Sequence, residues 1–239
     1  MEKQYCLGID LGTTNSAMAV TREDRIEVVA VTQLVAAGRI SEKETLASAL
    51  FVPPEAERGR AFELPWESGE PPDYAVGHLA RDRGATLPDR LVVSAKSWLC
   101  NHHVDRQEPV LPWQSEIKEK RSPFEASRLF LEHLKNAFIF HGENRDASFS
   151  LDACDVVLTV PASFDEVARS LTHEAAEQAG LGRVVLLEEP LAAFYAWIDQ
   201  AGAAWRDFVE PGDVVLVVDV GGGTADFTLV AISETDGDL

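Results

Sequence analysis

The chain is short of cysteine, of basic residues and of long apolar runs, and each shortage narrows its chemistry. Three cysteines, Cys6, Cys100 and Cys154, are scattered through 239 residues. An odd, widely spaced set builds no disulfide framework and points to a reducing compartment. Lysine and arginine total 21 against 40 aspartates and glutamates, a formal net charge of −19. That imbalance argues against a nucleic-acid interface, which needs clustered Lys and Arg over phosphates. It also argues against docking on anionic membranes. It leaves room for a nucleotide, because backbone N–H groups and a bound Mg²⁺ meet phosphate locally. No run is long enough to cross a bilayer as a helix. Met1–Gln4 leads straight into a short strand-like segment, without the basic start and long apolar stretch of a signal peptide. The expectation is a cytoplasmic protein. A fixed-period repeat is also missing.

What is present is an ordinary globular composition, 46% hydrophobic and 26% charged. Tyr5–Ile9, Ser16–Val20 and Arg25–Val31 predict a β-meander, with Glu23-Asp24 as its second turn. From Gln33 to Gly77 the pattern weakens, and Pro53-Pro54, Pro65, Gly69 and Pro71-Pro72 break any long helix. This predicts a loop-rich insertion. Ser122-Pro123 followed by Glu125 predicts a capped helix with Ala126, Leu129, Phe130, Leu134, Ala137 and Phe138 on its buried face. Asp155–Val160 is a buried strand. Ser163 and Glu166 predict a second capping box, above a stripe of Val167, Leu171, Ala175 and Ala179 that Gly180 ends. Val184–Leu187 is a strand, Pro190 opens a helix through about Asp199, and Val214–Val218 and Phe227–Ile232 are strands. Alternating strands and helices in the second half, behind a meander, predict a mixed α/β sheet flanked by helices.

Two stretches echo each other: Asp10-Leu11-Gly12-Thr13-Thr14-Asn15 and Asp219-Val220-Gly221-Gly222-Gly223-Thr224-Ala225-Asp226. Each is an apolar strand, an aspartate, a Gly/Thr turn and another apolar strand. A phosphate chain needs inward N–H groups on a backbone that approaches closely, hydroxyl donors, and a cation. Mg²⁺ prefers a few carboxylates and water to a full protein cage. Both turns supply that set. One such turn is readily an ordinary hairpin; two matched turns framed by buried strands favour a phosphate clamp. Neither is a P-loop, because no Gly-Lys-Ser/Thr follows. Neither is a dinucleotide fingerprint, because each leads to a strand. Cys100, His102 and His103 lie close in sequence but match no familiar zinc spacing. Trp98, Trp113, Trp197 and Trp205 suit packing better than a ligand cage.

Leu7–Ser16 resembles the first phosphate motif of the heat-shock protein 70 (DnaK-type) chaperone family, and Val218–Asp226 resembles its second. Thr159-Val160-Pro161-Ala162-Ser163-Phe164 and Glu188-Glu189-Pro190-Leu191-Ala192-Ala193 are similar to its connecting segments, in order. The resemblance covers most of the chain and is weak over Gln33–Gly77 and Asn101–Arg121. It implies an actin-like ATPase (ribonuclease H-like) fold. The first lobe would span residues 1–211, with its core at 1–32 and 122–211 and an inserted subdomain at about 33–121. Residues 212–239 would be the opening hairpin of a second lobe. It implies ATP/ADP, Mg²⁺ and K⁺ as ligands. Asp10 and Asp219 would position Mg²⁺ through water, and Asp226 would help bind the monovalent cation. Gly12, Thr13, Thr14 and Asn15 on one turn, and Gly221, Gly222, Gly223 and Thr224 on the other, would hold the phosphates. Lys96 would approach the γ-phosphate and the attacking water, and Glu189 would help place that water. With Asp219 and Thr224 these form the hydrolytic set. Pro161 and Arg169 would relay nucleotide state to a peptide-binding domain. Without the family, Lys96 is a surface lysine on an amphipathic helix, and Glu189 an acid favoured at a helix N-terminus. The implied partners are peptide clients, co-chaperones and nucleotide exchange factors. A sugar or metabolite kinase on the same fold, and a non-catalytic scaffold, are the competing readings. The family's adenosine-binding motif does not follow before Leu239, so the expectation is a fragment with weak ATP binding and little turnover.

Overall fold

β1 (Tyr5–Asp10) is the seed of the structure, because Leu7 and Ile9 point to one face and are wholly buried there. The computed structural model describes residues 5–22, 25–70, 72–145 and 151–234. β1 pairs antiparallel with β2 (Asn15–Arg22), which pairs antiparallel with β3 (Arg25–Val28). The meander is therefore as expected, with a third strand that ends at Val28; its Glu23-Asp24 turn lies outside the described residues.

The region expected to be loop-rich carries more strand than its pattern suggests. β4 (Val31–Ala36) and β5 (Arg39–Lys43) form a separate two-stranded ribbon. β6 (Thr45–Ala47) returns to pair with β2. β7 (Ala49–Phe51) then pairs with β8 (Ala75–Val76) and with β9 (Leu91–Val93). These strands escape sequence reading because they are two to six residues long and β5, Arg-Ile-Ser-Glu-Lys, is largely exposed. Between β7 and β8 the helical structure among the described residues is two short 3₁₀ turns, in keeping with the prolines. α1 (His78–Thr86) packs over β7. Phe51, Leu79 and Ala80 join Leu34 in a small second core there.

α2 (Ala95–Trp98) follows β9 after one residue, Ser94, whose left-handed backbone (φ 57°) breaks the apolar run at 91–99 into strand and helix. α3 (Pro123–Arg145) starts as predicted: the Ser122 hydroxyl accepts the Glu125 N–H at 2.9 Å. Its expected face, from Ala126 to Phe138, is buried against the sheet. β10 (Cys154–Val160) lies parallel to β1, and β11 (Val184–Glu188) lies parallel to β10. The main sheet therefore runs β11-β10-β1-β2-β3, with β6 also on β2.

α4 (Glu166–Gln178) connects β10 to β11 and corrects two expectations. The cap is Asp165, whose side chain accepts the Ala168 N–H at 2.6 Å, rather than Ser163. A carboxylate one residue from the helix satisfies that donor and favours the dipole at once. The buried stripe is accordingly Ala168, Thr172, Ala175, Ala176 and Ala179, while Val167 is exposed. Gly180 takes φ +83° past the helix end, as expected. α5 (Glu189–Ala201) carries Pro190 in its first turn and leads to β12 (Val214–Val220) and β13 (Ala225–Ala231). These two pair antiparallel as a ribbon of their own.

Candidate functional site

Parallel pairing brings the ends of β1 and β10 together, so Asp10 lies in register with Thr159. The Thr159 hydroxyl donates to the Asp10 carboxylate at 2.9 Å. The chain then turns sharply through Leu11–Thr14. A Cβ on Gly12 would sit 2.0 Å from the Asn15 carbonyl oxygen, so no larger residue fits this turn. Ser48 braces it: its hydroxyl donates to the Gly12 carbonyl at 2.7 Å, and its backbone N–H to that of Thr14 at 2.9 Å. Ser48 is 4% exposed and was not singled out from sequence, because a lone serine between two short strands carries no signal.

The second turn caps the ribbon. Asp219 and Asp226 face each other across β12 and β13, and the Gly221 N–H closes the turn on the Thr224 carbonyl at 2.9 Å. The two turns meet. A Cβ on Gly222 would lie 2.6 Å from the Thr14 hydroxyl, and one on Gly223 would lie 3.1 Å from the Thr13 methyl. Glycine is what allows the second turn to lie against the first.

Between them is a cavity of about 490 Å³. Its lining includes Asp10, Gly12, Thr13, Thr14, Asn15, Lys96, Glu189, Asp219, Gly221, Gly222 and Thr224. Lys96 reaches it from α2, and its ammonium donates to the Glu189 carboxylate from the start of α5. The two side chains are only 10% and 15% exposed. This excludes the surface-lysine alternative for Lys96. The Glu189 carboxyl is held above the ordinary range, mainly by burial; Lys96 opposes that rise, and the charges of Asp10 and Asp219 add to it. Three carboxylates are thus close enough to feel one another, an arrangement a cation relieves. Among the described residues no three His, Cys, Asp and Glu side chains are close enough to cage a metal directly. A sparse carboxylate set of this kind fits Mg²⁺ that keeps most of its waters.

Of the other residues singled out from sequence, Asp226 and Pro161 line a smaller adjoining cavity of about 140 Å³ that Glu189 and Asp219 also border. Gly223 touches Thr13 but does not line the main cavity. Arg169, on α4, donates to the Glu188 carboxylate at 2.7 Å and to the Phe164 carbonyl at 3.2 Å. It is therefore tied to the residue next to Glu189. Cys100 packs against the cluster of Val160, Phe164 and Ala168, and His102 lies beside Arg106. The guanidinium of Arg106, 8% exposed, lies 3.1 Å from His102 Nδ1 and grips both oxygens of Asp165 at 3.0 and 2.9 Å. That grip, with the Ala168 N–H, holds the Asp165 carboxyl down to about 2. Arg106 comes from the poorly patterned Asn101–Arg121 segment and escaped the sequence reading. Trp98 packs on Trp113 with ring centroids 5.0 Å apart, a packing role as expected.

Comparison with known proteins agrees with this geometry. The family model described as Hsp70 protein matches residues 68–238. "Chaperone protein HscA" of Enterobacter sp. (strain 638) is 31% identical over 242 residues, which are 97% of this chain and 33% of that protein. A "Chaperone protein HscA homolog" of Cupriavidus pinatubonensis is 31% identical over 247 residues, 98% of this chain and 33% of its own length. One of Vibrio atlanticus is 28% identical over 246 residues, with the same coverage. The chain spans about a third of the length of the curated relatives it matches. The mixed sheet with helices on its faces is the actin-like ATPase fold, and the chain belongs to the Hsp70 family.

Proposed function

We propose that this chain is the nucleotide-binding region of a DnaK-type chaperone that hydrolyses ATP to control a peptide-binding domain. The observation that carries the reading is the contact of two Gly/Thr turns over one cavity that also holds Asp10, Asp219, Lys96 and Glu189. The proposed division is a first lobe over residues 1–211 and the start of a second over 212–239. In this reading the N–H groups and hydroxyls of both turns hold the β- and γ-phosphates. Asp10 and Asp219 would hold Mg²⁺ through its waters, and Asp226 would help hold K⁺. Mg²⁺ supplies charge neutralisation on the phosphates when bound. Transfer to water is mostly positioning and electrostatics. Lys96 keeps two ammonium donors beyond its bond to Glu189, and these suit a γ-phosphate oxygen. Glu189, with its raised affinity for a proton, accepts a hydrogen bond from the attacking water. Arg169 and Pro161 flank Glu188–Glu189 and would pass nucleotide state outward to peptide clients' binding domain. Co-chaperones and exchange factors would act on the longer protein.

Affinity in the 239-residue chain should be modest, because the second turn rides on a two-stranded ribbon, a marginal support. Isothermal titration with Mg·ATP should give saturable binding weaker than about 10 μM. Low-micromolar affinity would contradict the weak-clamp reading, and absence of saturable binding would overturn the nucleotide assignment. In the longer protein that contains this chain, Lys96→Ala should abolish turnover and spare ATP binding. Undiminished turnover would sink its catalytic role.

A further inference from the structure

A second cavity, of about 250 Å³, lies where the insertion meets α3, and it shares no lining residue with the phosphate cavity. Trp66, Glu67 and Tyr74 face Glu132, His133 and Asn136 across it. His133 is 5% exposed, and its ring stands edge-on to Trp66 with centroids 5.4 Å apart. Its Nε2 lies 3.0 Å from the Thr32 carbonyl oxygen. A carbonyl only accepts, so the proton is on Nε2. Burial keeps the ring neutral. Nδ1 is then a bare acceptor, and among the described residues none donates to it. Glu67 accepts the Leu64 N–H at 2.6 Å through Oε2, which leaves Oε1 for a ligand.

The charge here is surplus negative. Glu63 and Glu132 both act on Glu67; of the cations nearby, Arg128 is taken up by Glu132 at 2.7 Å, and Arg60 borders a separate cavity with Glu63 and Glu67. The Tyr74 phenol is pushed up to about 12 by burial and then by Glu132 and Glu67, so it stays a neutral hydroxyl. An anion would be repelled. A neutral apolar guest would leave Glu67 and His133 Nδ1 unpaired in a half-dry site. A cation with N–H donors satisfies both, and Trp66 offers it an aromatic face.

We propose that this cavity is a binding site for a small organic cation, a protonated primary amine on an aromatic or branched apolar stem. The ammonium lies between Glu67 Oε1 and His133 Nδ1, and the stem lies against Phe62 and Trp66.

The test titrates the 239-residue chain with 2-phenylethylamine and, separately, with neutral 2-phenylethanol. The amine should bind with a Kd of about 1 mM or tighter, and the alcohol about tenfold more weakly or worse. Glu67→Gln should weaken the amine about tenfold and leave the alcohol unchanged. Equal affinity for amine and alcohol, or unaltered amine binding in Glu67→Gln, overturns the proposal. A measurement on the unaltered chain guards against a variant that fails to fold. Saturating amine should shift the His133 Nδ1 resonance. A His133 resonance unmoved by the amine places the ligand elsewhere and overturns the site.

Discussion

The two phosphate turns share a recipe, yet their foundations differ. The first follows β1, which is hydrogen-bonded on both sides, and Leu7 and Ile9 beneath it are 0% and 1% exposed. Ser48 bolts its carbonyls in place. The second follows β12, which among the described residues pairs with β13 alone. The ribbon lays one face toward α5, with the half-buried Val215 and Val217 lining a cavity of about 400 Å³ together with Ala193, Phe194 and Trp197. Its other face carries the cross-strand pairs Leu216–Leu229 and Val218–Phe227, all at least half exposed. A Gly/Thr turn thus encodes a local conformation, and the sheet behind it encodes how firmly that conformation is held. Preorganisation of the clamp is one-sided, and that is the physical basis for expecting weak nucleotide binding here.

The largest effect expected from this contrast is on Leu7. Leu7→Ala should cost about 3–4 kcal/mol of stability, because a buried leucine in the central strand leaves a cavity that its neighbours cannot fill. Denaturant midpoints would measure it, and a loss under about 1 kcal/mol would show that the first turn is no better founded than the second. Next comes His133, in the same packed body. Burial holds its ring down to about 4, against 6.5 for a free histidine. The unfolded chain therefore takes up a proton below about pH 6.5 that the folded chain refuses until about pH 4. Stability is full above that window, falls as the pH drops through it, and levels off below. The whole step is worth about 3 kcal/mol, and His133→Gln should remove that part of the slope. Denaturation at pH 7, 5.5 and 4.5 compares the two; parallel curves would refute the assignment.

Legibility followed periodicity and length. α3 was readable because its cap and its apolar face are local features repeated over many residues, and β10 because Val156-Val157-Leu158-Thr159-Val160 is apolar but for one threonine. β6 to β8 were not, since strands of two or three residues gain their stability from partners distant in sequence, and β5, though it pairs with its neighbour β4, is largely exposed. At α4, Ser163 and Asp165 offer competing caps two residues apart. The choice falls to Asp165, which Arg106, 59 residues away, also holds. The site shows the same division. Asp10, Gly12, Asp219 and Gly222 announce themselves through turn chemistry. Lys96 and Glu189 stand out only once motif order is considered, and their pairing across 93 residues is a property of the fold. Ser48 and the His133 cavity have no local signature at all.

The smallest effect tests the comparison from the other side. Leu229 is 69% exposed and lies opposite Leu216 on the outward face of the ribbon. Leu229→Ser removes apolar area that water already reaches, so little transfer free energy is lost. Side chains alternate along a strand, so the change points away from α5 and from the phosphate cavity. Stability should stay within about 0.5 kcal/mol, and Mg·ATP affinity within about twofold. A much larger loss would mean that this face is covered in solution, for instance by a second copy of the chain. The ribbon would then be founded as firmly as β1, and the second turn would be as preorganised as the first. A null result alongside a severe Leu7→Ala would fix the weakness of the clamp on its second turn.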